Sequence, residues 1–182
     1  MGVGNFFSNL GTPINIINNL LQGKARAAGT ETGRLLLNST LGLGGLFDPA
    51  SRAGIQQRDE DFGQTLGVWG VPPGAFVVLP FLGPSSLRDG PALAVDIYTH
   101  PLTYYDNSSI RTKLYVLLAI ERRASVLSVE KALEDAYDEY AFVRDAYLQR
   151  RVFLVYDGDP PDENFYEDFE DDFEDEDLSE FE

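Results

Sequence analysis

The chain has 182 residues, with 14 Lys or Arg, 30 Asp or Glu, one His and no Cys. Its length suits one compact domain plus a tail; zero cysteines and the lone His100 exclude thiol catalysis, disulfide frameworks and the thiolate or multi-histidine zinc sites. The net charge of −16 gathers at one end, because fifteen acidic and no basic residues lie between Asp157 and Glu182; residues 1–156 are near neutral, without the basic patch that nucleic acid requires.

Taken in chain order, the first feature is an uncharged start. Met1 is followed by Gly2, Val3 and Gly4, not by a basic n-region, so the expectation is either a cytosolic chain or one whose natural beginning has been removed. Thr12 as N-cap, Pro13 at the first helical position and Gly23 beyond the end predict a helix of about ten residues. Asn15, Asn18, Asn19 and Gln22 share one of its faces, while Ile14, Ile16, Ile17, Leu20 and Leu21 fill the rest. At about 1.5 Å per residue it reaches roughly 15 Å, half a hydrocarbon core, so it suits one leaflet and not a crossing.

Residues 25–41 read as a helix weakened by Gly29 and Gly33, with Arg34 and Asn38 one turn apart. The stretch 62–87 carries no charge and is interrupted by four prolines and five glycines, which predicts a compact, apolar, irregular loop; Gly63-x-x-x-Gly67 at its start is assigned to a turn. A short helix is expected from Gly90 or Pro91 to Tyr98, stopped by Pro101. Residues 110–127 give a strong helical period, capped by Ser108 or Ser109, and Ser128 is placed as the cap of a separate helix containing Val129, Ala132, Leu133 and Ala136. A last helix is expected over 139–155. No period-two strand and no repeat is visible, so the fold class is all-α, with domain 1–156 and an acidic tail, 157–182, expected to be disordered. Phe165, Phe169 and Phe173 are four apart, which permits a helix formed on a partner.

Enzymatic signatures are missing: there is no G-x-S-x-G elbow and no P-loop. His100 follows Asp96 by four residues, yet Pro101 comes next and no nucleophile is marked, so a cap or surface role is assigned. Asp59, Glu60 and Asp61 are read as solvated loop charge, with a calcium contact as a remote second reading. Arg34, Asp48, Arg88 and Asp89 border uncharged blocks; they either pair and cap helices or, for the arginines, meet lipid phosphates through the forked guanidinium.

NFFSNL at 5–10, LLLNSTLGLGGLFDPA at 35–50, FGQTLGVWGVPPG at 62–74 and LPFLGPSSLRD at 79–89 closely resemble the MlaA (VacJ) phospholipid-binding lipoprotein family. Glu121, Arg123, Ala124, Tyr140, residues 143–147, Gln149 and Arg150 extend the similarity, which covers roughly residues 3–151. The resemblance implies a ring of short amphipathic helices with a Gly/Pro-rich loop, set in the inner leaflet of a Gram-negative outer membrane and facing the periplasm. It implies passage of mislocalised outer-leaflet phospholipid through an amphipathic pore to a soluble periplasmic lipid carrier, association with a trimeric porin, and neither catalysis, cofactor nor metal. The family's signal peptide, lipidated cysteine and a preceding helical segment are absent from this sequence, so a truncated chain and an incomplete ring are expected.

On this reading Asn5, Phe6, Arg34, Asn38, Lys113, Arg123 and Arg144 are candidates for the channel or its rim, and Asp48, Arg88 and Asp89 for structural ion pairs or caps. The acidic tail is expected to touch the carrier or to act as a plain solubilising segment. The alternative is a structural adaptor that clamps a porin without a lipid channel of its own; a lipid hydrolase using His100 and a serine is a third hypothesis.

Overall fold

A computed structural model describes residues 2–80, 82–134 and 138–160, with the side chains of 125–134 outside the described set. The tail from Pro161, with Phe165, Phe169 and Phe173, lies outside the described residues, as does Ala136.

The described residues form seven helices and one hairpin: α1 (Gly2–Leu21), α2 (Ala25–Thr40), α3 (Pro49–Arg52), α4 (Phe62–Val68), β1 (Phe76–Leu79), β2 (Gly83–Ser86), α5 (Asp89–Thr99), a 3-10 turn (Pro101–Tyr104), α6 (Ser108–Glu134) and α7 (Glu139–Val155). The predicted spans of α2, α5 and α7 hold closely. The first helix, however, begins well before Thr12. Thr12 sits inside it and turns its hydroxyl back onto the Ser8 carbonyl, and Pro13 is accommodated as an interior residue. The stop is where the sequence places it, at Gly23 with φ +76°.

Three other expectations are corrected. Ser128 starts no new helix, because α6 runs unbroken to Glu134. The uncharged stretch 62–87 contains α4 and an antiparallel hairpin pairing Phe76 with Ser86 and Leu79 with Gly83. Gly63 and Gly67 stand in α4, not in a turn, and their role is close approach: a Cβ on Gly63 would lie 2.7 Å from an Arg151 guanidinium nitrogen, and one on Gly67 would lie 2.7 Å from Val155. Side chains on these two positions would hold α7 away.

The helices contact one another in a circuit, α1 to α4, α4 to α7, α7 to α6 and α6 back to α1, while α2 lies along α1. This is the ring-like all-α arrangement expected. Its polarity is inverted relative to a water-soluble domain. Among the described residues the buried hydrophobic side chains are Phe7, Ala28, Ala50, Ala92 and Leu102, whereas fifteen polar or charged residues are buried. Twenty-eight large hydrophobic residues are exposed, including Leu41 at 71%, Leu43 at 67%, Leu36 at 61% and Val78 at 60%. Scattered exposed leucines are ordinary, but a surface this apolar around a polar interior marks contact with lipid or protein. No helix among the described residues is long and apolar enough to cross a membrane.

Candidate functional site

A cavity of about 590 Å³ lies inside the circuit of helices. The lining stripe of α1 is Gly4, Phe7, Ser8, Gly11, Ile14 and Asn15, positions that fall on one helical face and run straight through Pro13. Asp89, Leu93 and Asp96 face it from α5, Leu118, Glu121 and Arg122 from α6, and Tyr147 and Arg151 from α7. Apolar and polar groups therefore alternate around one space.

The amides of α1 are the reason that its inner face is polar and still stable. Asn19 donates to the Asn15 carbonyl at 2.8 Å and Asn18 to the Ile14 carbonyl at 3.2 Å, so each amide satisfies its own donor within the helix. Asn18 then accepts from the Thr65 hydroxyl at 2.8 Å, and Asn15 accepts from the Glu60 backbone N–H at 3.3 Å. The amide face is thus largely a buried joint between α1 and the 57–65 segment; of its four members Asn15 reaches the cavity.

One wall is closed by charge. Arg151 donates to both oxygens of Asp61 at 2.6 and 2.8 Å and to Asp89 at 3.2 Å. Asp89 also accepts from the Tyr147 hydroxyl at 2.7 Å and from Arg88 Nε at 2.8 Å. Asp61 caps α4 through the Gln64 N–H, and the Ser86 hydroxyl receives the Asp89 N–H, so one guanidinium on α7 joins the starts of α4 and α5. Burial opposes the charge on Asp61, yet the Arg151 hydrogen bonds and charge hold its carboxyl below the usual range. Asp89 behaves alike, with Arg88 and Arg151 overcoming its burial.

Asp59, Glu60 and Asp61 are not solvated loop charge as a group. Glu60 is 5% exposed, paired with Lys24 at 3.3 Å, and all three line the cavity. Asp96, whose carboxylate receives the Phe62 N–H at 3.1 Å, is pushed up to about 6 by burial and by the nearby charge of Asp61. His100 Nδ1 accepts the Leu102 N–H at 3.1 Å, which caps the 3-10 turn; burial, then the charge of Arg122, lowers its pKa. No group of His, Cys, Asp and Glu suited to a metal ion occurs among the described residues.

None of the seven channel or rim candidates lines this cavity. Asn5 donates to the Leu46 carbonyl at 3.3 Å, and the Phe6 ring packs edge-on to Phe7. Arg34, 3% exposed, binds Asp48 at 3.1 Å and also the Ser51 hydroxyl and the Ile55 carbonyl, anchoring the 48–55 segment on α2. Asn38 works beside it, donating to Asp48 at 3.0 Å and accepting from the Ala50 N–H. Lys113 and Arg123 are exposed on α6, and Arg144 lies beside Asp145 at 2.8 Å. Asp48 caps α3 through the Ser51 N–H; burial opposes its charge, but Ser51, Asn38 and Arg34 lower it to about 2. Arg88 also donates to the Val71 carbonyl at 3.3 Å, tying α5 to the Gly/Pro-rich loop. Sequence reasoning missed Arg151 and Glu31 and gave Tyr147 and Asp96 no place at the site; Glu31 is fully buried and accepts the Arg58 N–H at 2.8 Å. The spacing of Asp89, Leu93 and Asp96 on one face of α5 was the available signal.

The family described as MlaA lipoprotein matches residues 1–154. The intermembrane phospholipid transport system lipoprotein MlaA of Escherichia coli (strain K12) is 36% identical over 167 residues, covering 90% of this chain and 66% of that protein. Its Haemophilus influenzae counterpart is 32% identical over 160 residues, covering 86% and 64%, and an uncharacterized protein of Rickettsia prowazekii is 34% identical over 155 residues, covering 84% and 62%. A solved structure described as "Structural basis for maintenance of bacterial outer membrane lipid asymmetry" superposes with a TM-score of 0.70 at 35% identity, covering 85% of this chain and 78% of that one. The chain spans a little under two thirds of the length of the curated relatives it matches.

Proposed function

The chain belongs to the MlaA lipoprotein family, and from that premise we propose that it is a non-enzymatic phospholipid transport protein of a bacterial outer membrane. The relatives named for intermembrane phospholipid transport supply the cargo class. The observation that carries the reading is the inverted polarity: apolar side chains such as Leu36, Leu41 and Val78 point outward, while a mixed polar and apolar cavity lies within the circuit of helices. An acyl chain outside meets leucine, and a lipid inside finds Phe7, Ile14 and Leu118 for its tail and carboxylates, Tyr147 and His100 for its head. The exposed apolar side chains around the circuit suit residence in one leaflet, the inner one, with release toward the periplasm. The same reading includes uptake of mislocalised phospholipid from the outer leaflet, delivery to a soluble periplasmic carrier and association with a trimeric porin. Lys113, Arg123 and Arg144 remain rim candidates, and the acidic tail a candidate contact for the carrier.

Gly11 provides the test. It lines the cavity, and a Cβ built on it meets nothing within 4 Å, so Gly11→Phe introduces a plug without an initial clash. Fluorescent phospholipid transfer from vesicles holding the full chain to a soluble acceptor should fall about tenfold, an added barrier of about 1.4 kcal/mol. Unimpaired transfer by a correctly folded Gly11→Phe protein refutes passage through this space.

A further inference from the structure

Away from the cavity, the outer flank of α2 carries a row of cations that the fold leaves unanswered. Arg26, Arg52 and Arg58 are exposed, and none of their guanidinium groups hydrogen-bonds or forms an ion pair among the described residues. Neighbouring contacts place the three together. Arg58 gives its backbone N–H to Glu31 at 2.8 Å, and Arg52 follows Ser51, whose hydroxyl accepts from Arg34 at 3.2 Å. Both therefore lie beside the middle of α2, on the side of Arg34. By the helical period Arg26 and Thr30 fall on that same side, whereas Ser39, on the other, meets Asn9 of α1. The row thus follows the helix over roughly 10–15 Å. Acids near it are already engaged: Glu31 is fully buried, Asp48 holds Arg34, Asn38 and Ser51, and Asp59 accepts from Asn15 and Gln57.

The acidic tail sets out from one end of this row. Asp157 pairs with Lys24 at 2.6 Å, and Lys24 stands just before α2, two residues ahead of Arg26. Beyond Pro160, residues 161–182 include thirteen acidic and no basic residues. At about 3.3 Å per residue they reach up to about 70 Å, several times the length of the row. Phe165, Phe169 and Phe173 recur among the acids every four residues, an advance of about 6 Å in helical form. Each arginine can therefore be offered both a carboxylate and a ring face, a combination that suits guanidinium better than either alone. A purely solubilising tail has no use for the rings.

We propose that residues 161–182 fold back along the outer flank of α2 and cover Arg26, Arg58 and Arg52, an intramolecular clasp that withholds this row from anionic lipid head groups. A tethered segment acts at an effective concentration of about a millimolar, so contacts too weak to hold a free peptide still keep the row covered. The clasp stands independently of the transport reading, and the carrier contact proposed for the tail would compete with it for the same acids.

The test reads arginine accessibility in the full chain, in detergent at low salt, with an arginine-specific dicarbonyl reagent and residue-resolved mass spectrometry. Arg26, Arg52 and Arg58 should react on the order of fivefold more slowly than Arg150, an exposed arginine of α7. They should match it once about 1 M salt shortens the screening length to about 3 Å. A variant with Asn for Asp and Gln for Glu throughout 162–182 should lose the protection, with circular dichroism establishing that it is folded. In that variant, micelles doped with phosphatidylglycerol should restore protection and micelles doped with phosphatidylcholine should not. No protection in the parent chain, protection that survives the neutralised tail, or Arg150 slowed as much as the row overturns the clasp. Protection of the neutralised variant by both lipids, or by neither, overturns the withholding of the row from anionic head groups.

Discussion

Arg151→Met probes the charged wall of the cavity. The Arg151 side chain is 11% exposed, reaches both Asp61 oxygens at 2.6 and 2.8 Å, and contacts Asp89 Oδ2 at 2.9 Å through Nε. Methionine preserves much of the volume but leaves two carboxylates facing each other across the space that the guanidinium filled. Removing one partner of a buried pair costs about 3–5 kcal/mol. That figure is reduced here because the Asp61 side chain is 36% exposed and Asp89 keeps Arg88, giving about 2–3 kcal/mol. For a domain of this size the loss corresponds to roughly 5–10 °C in Tm, read by circular dichroism in detergent. The pH dependence carries a second signature. Asp61 and Asp89 have folded pKa values below the ordinary aspartate value, so the stability they provide is present above that value, about 3.9, and is lost as pH falls through the folded ones. The gap between parent and Arg151→Met should therefore be widest near neutrality and narrow in strong acid. Arg151→Lys, with charge but no fork, should fall between them. A Tm within 2 °C of the parent at pH 7 would show that Arg151 does not hold this wall.

Gly42→Ala should be among the most damaging glycine changes, at about 2 kcal/mol or more in chemical unfolding, because the new Cβ falls against the backbone carbonyls of Asn38 and Phe47, which no side-chain rotation relieves. Leu36→Lys, on a residue 61% exposed, should leave Tm in detergent nearly unchanged yet weaken retention in vesicles by about 2.5–3.5 kcal/mol if that face reaches hydrocarbon; flotation assays read the loss. Asp96 works in the direction opposite to Asp61. Its folded pKa, about 6, exceeds the unfolded value, so the folded state binds more protons and stability rises as pH falls from 7 toward 5. Asp96→Asn should flatten that part of a Tm-against-pH curve by a few degrees, and an unchanged slope would assign it to another group.

How far the sequence disclosed this molecule depends on which physical assumption each element obeys. The bounds of α7 follow from a cap, Asp138, whose carboxylate receives the Ala141 N–H, and from a sustained period. Thr12-Pro13 misled because a threonine hydroxyl serves equally well at a cap or back-bonded to i−4, and only the helical turns before it decide which. The hairpin was hidden by its size: four residues per strand give too little alternation to register, and its turn depends on Gly83 at φ +87°. The cavity was the hardest to foresee. Asp61 and Arg151 are ninety positions apart, and the acids at 59–61, preceded by Gln56, Gln57 and Arg58, resemble ordinary surface charge.

The deeper difficulty is that pattern reading takes the polar stripe of a helix to be its outside. In α1 that stripe faces inward, and the isoleucines and leucines opposite it, Ile17, Leu20 and Leu21, are the exposed ones. Such a fold draws little stability from apolar burial, for which five buried hydrophobic side chains among the described residues offer scant means. Its cohesion comes from hydrogen bonds and ion pairs that cross between elements: Asn18 with Thr65, Arg34 with Asp48, Arg151 with Asp61. In water these exchange against hydration, and the net contribution is only about 1 kcal/mol for the neutral contact and about 1.5–3 kcal/mol for those to charged groups. Against hydrocarbon, an unmade polar contact costs several kcal/mol per group, so the same network becomes the preferred arrangement. The apolar exterior thus supplies the medium in which the polar interior is stable, and the cavity persists because its wall is held by directional bonds that resist collapse.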